Sequence, residues 1–205
     1  GRLLEKLDAL GIADNTLVVF YSDNGGFDEV RNGEQVANNA PLRSGKGSAY
    51  EGGIRVPLIV RWPGVTTEGG RCDTPVTSMD FYPTILELLG DQAPATDKVL
   101  DGVSLGPVLR DPTASLGRED LQWHYPHYYF NTTPVSAFRH GDWKLVEYYE
   151  DGRQELYNLK DDMREAIDLS EVRPEIVKDF HQRLVAWRSE VQARLPEKNT
   201  AIAAK

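Results

Sequence analysis

Leu3, Leu4, Leu7 and Leu10 recur at helical spacing with charged residues between them, which predicts an amphipathic helix that stops at Gly11. The turn Gly11-Ile12-Ala13-Asp14-Asn15 leads into a continuous β-rich run, Thr16-Leu17-Val18-Val19-Phe20-Tyr21. Apolar on both faces, that run predicts a buried central strand of a parallel sheet. Pro57-Leu58-Ile59-Val60-Arg61-Trp62, closed by Pro63-Gly64, predicts a second buried strand. Residues 27–44 between them are polar and irregular, as in a long functional or disordered loop. An apolar helix is expected over Phe81–Leu89, with Asp80 as its cap, Pro83 in its first turn and Gly90 beyond its end. A shorter helix covers residues 105–110.

From about residue 115 the texture changes to short aromatic and β-branched runs, at 122–129, 136–140, 143–149 and 155–159. Asp151-Gly152 marks a hairpin turn between the last two, and a closing amphipathic helix is expected over 174–194, ahead of a frayed tail after Pro196. The fold class is therefore α/β over residues 1–114, followed by a small antiparallel α+β subdomain over 115–205. The net charge of −9 argues against a general nucleic-acid binder, which needs a basic face. No apolar run approaches the roughly 20 residues of a transmembrane helix. The first residues read as the last turns of a helix without an initiator Met, so the chain is expected to be a fragment that begins within a domain.

Two motifs carry chemistry. Ser22-Asp23-Asn24-Gly25-Gly26 places a carboxylate and an amide at the end of an apolar strand, where ligand sites form in α/β proteins. Their hard oxygens suit Ca²⁺, or less well Mg²⁺, better than Zn²⁺; a plain turn is the simpler alternative. Gly45-Lys46-Gly47 offers an anion a lysine on a tight backbone, or else a solvated surface lysine. It is not a phosphate-binding P-loop, because Ala40 and Gly47 stand where that motif needs Gly and Ser or Thr. Cys72, the single cysteine, lacks an adjacent basic partner and reads as a small, partly buried residue near a loop.

The succession of Ser22-Asp23-Asn24-Gly25, Gly45-Lys46-Gly47 and Glu51-Gly52-Gly53-Ile54-Arg55-Val56-Pro57 closely resembles the sulfatases of the alkaline phosphatase superfamily. The likeness continues through Met79-Asp80-Phe81-Tyr82-Pro83-Thr84, Leu100-Asp101-Gly102-Val103-Ser104, Arg139-His140-Gly141-Asp142-Trp143-Lys144-Leu145 and Glu155-Leu156-Tyr157-Asn158-Leu159. The resemblance implies the C-terminal half of a formylglycine-dependent sulfate-ester hydrolase with an alkaline-phosphatase-like mixed sheet. It makes Asp23 and Asn24 calcium ligands and Lys46 the contact to the sulfate group and its leaving oxygen. The formylglycine nucleophile arises in the family from a Cys/Ser-x-Pro/Ala-x-Arg motif. Cys72-Asp73-Thr74-Pro75-Val76-Thr77 does not match it, so no nucleophile is expected in this chain, which alone should not turn over.

Glu51 and Arg55 are expected to hold the Lys46 loop in place. His124 and His127, among aromatics, read either as lining a sugar or aryl pocket or as strand residues satisfied by local hydrogen bonds. Arg139, Asp142 and Lys144 read as hairpin turns and surface pairs. The expected partners are a sulfated small molecule or sugar, the N-terminal half of the protein and, through an exposed sheet edge, a second copy. The resemblance points to an exported, periplasmic or lysosome-like location. The alternatives are a phosphonate or phosphate monoester hydrolase of the same superfamily, and a non-catalytic docking module.

Overall fold

The computed structural model describes residues 1–90 and 98–197, so most of the tail after Pro196 lies outside the described residues. Along the chain come α1 (Arg2–Ala9), β1 (Val18–Tyr21), β2 (Val30–Arg31), β3 (Glu34–Gln35), α2 (Glu51–Ile54) and β4 (Leu58–Arg61). Then follow α3 (Phe81–Leu89), α4 (Gly106–Arg110), β5 (Asp120–Tyr125), β6 (Val135–His140), β7 (Trp143–Tyr148), β8 (Gln154–Asn158) and α5 (Pro174–Glu190). They form two units, Gly1–Asp23 with Pro57–Arg118, and Asn24–Val56 with the chain from Glu119 onward. Residues 24–56, kept with the first region in the sequence reading, thus group with the second. No helix among the described residues is long and apolar enough to cross a membrane.

In the first unit β1 and β4 pair antiparallel, Val19 opposite Val60 and Phe20 opposite Ile59. This corrects the expectation that β1 is a buried central strand of a parallel sheet and β4 a second buried strand. An apolar run records a wish for burial and says nothing of direction, and the segment between the strands is long enough to return either way. The inner face carries Leu17, Val19 and Val60 against Phe81, Thr84 and Ile85 of α3, around a wholly apolar cavity of about 250 Å³. Tyr21 meets Phe81 edge to face, with centroids 5.1 Å apart. On the outer face Phe20 and Ile59 stay 61% and 63% exposed, and the leucines of α1 are also largely open.

Asp80 stands at the N-cap position of α3, but its side chain makes no capping bond to that helix, against expectation, because it is engaged elsewhere. Fully buried, its carboxylate accepts the Thr77 N–H at 2.7 Å and the Val103 N–H at 2.9 Å. Arg118 grips both of its oxygens at 2.6 and 2.7 Å. Burial would raise this carboxyl, but Arg118 and the two backbone donors hold it below the usual carboxylate range. One side chain thereby ties the start of α3 to the loop before α4.

The second unit is the antiparallel α+β body expected from the sequence: a meander in the order β5-β6-β7-β8 with α5 against it. Its residues alternate strictly between faces. Phe138, Leu145 and Leu156 pack on Phe180 and Leu184 of α5. Val135, Ala137, Val146, Tyr148 and Tyr157 face the other way and cover Ala49, with Tyr50 and Trp123 at the margin. Because both faces are covered, apolar residues occur on both phases of the strands, and Ser136, Lys144, Glu147 and Glu155 are buried among them. Residues 27–44 include the small hairpin β2–β3 rather than a featureless loop.

Candidate functional site

The two glycine-rich motifs are stitched together by their backbones. The Gly25 N–H donates to the Gly53 carbonyl at 2.9 Å, and the Lys46 N–H donates to the Gly26 carbonyl at 3.0 Å. A side chain on Gly25 would begin 1.7 Å from the Gly52 oxygen, so only glycine permits this approach. Asn39 pins the crossing: its amide oxygen accepts the Gly26 N–H, and its nitrogen donates to the carbonyls of Gly26 and Ser44. Gly47 turns with φ of +91° under the ring of Tyr129, and Asn131 donates to the Lys46 carbonyl at 3.0 Å. Lys46 is therefore an exposed side chain on a backbone fixed from both sides.

Beneath this loop lies a buried ionic clamp. Lys144 of β7 is 0% exposed, and its ammonium donates to Glu51 of α2 at 2.9 Å and to Glu165 at 2.8 Å. Glu165 also accepts the Glu51 N–H at 2.7 Å. Arg55 and Arg139 approach the second Glu51 oxygen at 3.7 and 4.0 Å. Burial pushes the Glu165 carboxyl up, opposed by the Lys144 charge. Burial likewise lowers Arg139, against the attraction of Glu51.

The reading of Lys144 as a surface residue is thus corrected. Lys144 shares the strand phase of Val146 and Tyr148, which face inward, so its side chain must enter the core and find a carboxylate there. That phase was available in the sequence. Glu165, held at φ +52° in a loop, gave no such signal. Arg43 adds a second tie, donating to the Tyr157 hydroxyl and the Glu165 carbonyl while stacking on Tyr50. Tyr50 in turn donates to Glu155 at 2.6 Å; burial, helped by that bond, drives its hydroxyl far above the usual range.

The remaining candidates have the following surroundings. His124 sits on the α5 side of β5, with Nε2 at 2.8 Å from the Arg194 carbonyl and Nδ1 at 2.8 Å from the Ser136 hydroxyl. The carbonyl must accept, so Nε2 carries a proton, and both ring nitrogens are engaged within the fold. His127 is exposed beside Tyr125, with ring centroids 5.5 Å apart. Cys72 is exposed, not partly buried as expected, since the segment around it lacks a regular element to pack in. Asp142 is exposed at the β6–β7 turn, as expected.

Asp23 is exposed and Asn24 half-buried. Their oxygens are right in kind for Ca²⁺, but two side chains fall short of the roughly six to eight ligands it takes. No group of three or more His, Cys, Asp or Glu among the described residues could hold a metal ion. The described residues do not by themselves make a cation site.

Residues 1–91 match the model of the family described as Sulfatase. A sulfatase of Formosa agariphila is 39% identical over 209 residues, covering 91% of this chain and 37% of its own length. The solved structure of Ps i-CgsB in complex with k-i-k-neocarrahexaose is similar with a TM-score of 0.74 at 32% identity, covering 91% of this chain and 39% of that one. BT4656 in complex with its substrate D-glucosamine-2-N,6-O-disulfate gives a TM-score of 0.75 at 28% identity, covering 97% and 39%. The chain spans about two fifths of the length of each.

Proposed function

This chain belongs to the sulfatase family, and we propose that it serves, within a longer protein, the hydrolysis of a sulfate monoester to an alcohol and sulfate. Lys46 is the group that meets the anion. Its ammonium stabilises the negative charge that gathers on the leaving oxygen as the S–O bond breaks. Asp23 and Asn24 form one edge of a calcium site whose other ligands, like the formylglycine nucleophile, come from outside these residues. When bound, the cation supplies Lewis-acid polarisation of the sulfuryl oxygens. Glu51, through Lys144 and Glu165, keeps the Lys46 loop on the sheet, and Arg55 flanks it. By itself this chain turns over no sulfate ester.

The observation that supports this most is the pair of backbone hydrogen bonds from Gly25 to Gly53 and from Lys46 to Gly26, which fix the Lys46 loop against the segment that carries Asn24. A sulfated sugar or small molecule is the substrate class, and an exported location goes with it. The test is an assay of the full-length protein with 4-nitrophenyl sulfate, 4-nitrophenyl phosphate and a phenylphosphonate monoester. Sulfate turnover that falls by about 10²–10³ in Lys46→Ala is expected. A preference for the phosphorus esters moves the assignment to a phosphohydrolase of the same superfamily, and inactivity on all three leaves a docking module.

A further inference from the structure

The exposed rim of the Lys46 loop is aromatic. The rings of Phe27 and Phe130 lie 5.2 Å apart and those of Phe130 and Tyr129 4.7 Å apart, tilted by 53° and 52°. They hold one another, yet Phe130 remains 50% and Tyr129 39% exposed. Arg31 lies over Phe27, its guanidinium carbon 4.5 Å from the ring centre. Paired backbone hydrogen bonds between Tyr129 and Thr132 at 3.0 and 3.3 Å shape the loop that carries the cluster. Tyr129 fills the space where a Gly47 side chain would begin, and Asn131 donates to the Lys46 carbonyl, so the rings are fastened one residue from the lysine.

Rings this open gain little from folding, so core packing does not account for them. Their polar surroundings narrow what they could receive. Beside the rings stand the Arg31 cation and the exposed carboxylate of Asp28, which accepts the Gln35 amide at 2.8 Å. A pyranose ring needs both: an aromatic face for its C–H side, and donors and acceptors for its hydroxyls. A flat aryl or sterol group needs an enclosed apolar slot, which an open, tilted cluster with charges of both signs does not offer.

Resting on the reading of Lys46 as the sulfate contact, we propose that Phe27, Tyr129, Phe130 and Arg31 form a platform for the sugar ring that bears the sulfate ester. The rings stack on the sugar and Arg31 holds a hydroxyl or a neighbouring anionic substituent. The test is calorimetric titration of the full-length protein with glucosamine 6-sulfate, galactose 4-sulfate and galactose 6-sulfate. At least one binds, and its affinity falls about tenfold in Phe130→Leu and in Arg31→Ala, both melting at the wild-type temperature. The same substitutions cost the hexose sulfate more than they cost 4-nitrophenyl sulfate. Equal affinity in variants and wild type, no binding of any of the three by the wild type, or a greater loss for the nitrophenyl ester overturns the platform. Hexose-sulfate binding that the variants lose, in a protein that turns over no sulfate ester, keeps the platform and removes the hydrolase reading.

Discussion

Phe138 and Phe20 both sit in mid-strand among apolar neighbours, yet Phe138 is fully buried while Phe20 stays largely open. The difference lies in what each sheet has on its two sides. Around Phe138, α5 covers one face of the four-stranded meander, and Ala49 and Tyr50 cover the other. The β1–β4 pair has α3 and α4 on its inner side around an open apolar pocket, and presents Phe20 and Ile59 outward. The second unit therefore carries a finished core that can hold a polar loop rigidly above it. The first carries apolar surface in excess of what its own helices cover.

The finished sheet is where substitution should hurt most. Lys144→Met strips the ammonium from between two buried carboxylates, and a loss of about 3–5 kcal/mol is expected in urea denaturation. The double change Lys144→Met with Glu165→Gln should recover part of it, since one uncompensated charge goes. Phe138→Ala empties a ring site packed 5.0 Å from Phe180 and should cost about 3–5 kcal/mol as well. If Lys144→Met melts like the wild type, the clamp does not secure the loop and the contrast between the units fails at its strongest point.

Asp80 sharpens the comparison from the other unit, at smaller scale. Asp80→Asn keeps the shape but weakens the bonds to Arg118, Thr77 and Val103, for about 2 kcal/mol at neutral pH. The folded carboxyl titrates below the unfolded one, so its contribution is complete above the ordinary carboxylate range. It disappears as pH falls through the depressed folded value. The variant should therefore show a shallower acid limb, measured as the urea midpoint from neutral pH down to about 2. An unchanged acid limb would mean that other carboxylates govern acid unfolding.

Local chemistry made the loop legible. Gly25, Gly45, Gly47, Gly52 and Gly53 lie in the motifs that the sequence singled out, and the structure shows the close backbone approach that glycine permits there. The hairpins of the meander followed from β-branched runs and Asp151-Gly152, where Gly152 takes a positive φ. Direction and cover did not follow, because the apolarity of β1 and β4 is the same whether they run parallel or antiparallel. Lys144 was misread because a charge in a sequence is presumed solvated, although its strand phase with Val146 pointed inward. The placement of His124 depended on Ser136 and the Arg194 carbonyl, the latter 70 residues away, which no local pattern reveals.

The smallest expected effect tests the open face directly. Phe20→Ala removes the same ring as Phe138→Ala, but from a site that already meets water, so a monomer should lose less than about 0.5 kcal/mol. Ile59→Ser, opposite it in register, should behave alike. The pair of phenylalanine substitutions thus compares one chemistry at two degrees of cover, with all other terms of ring removal shared. Measured at rising protein concentration, the Phe20 effect also asks whether the face stays open. Association through Phe20 and Ile59 would make the wild-type melting temperature rise with concentration and the Phe20→Ala loss grow with it, while the Phe138→Ala loss would not grow. A Phe20→Ala effect that is small at every concentration, with a single monomeric boundary in sedimentation, removes self-association through this face and leaves the contrast in cover as the whole account of the two rings.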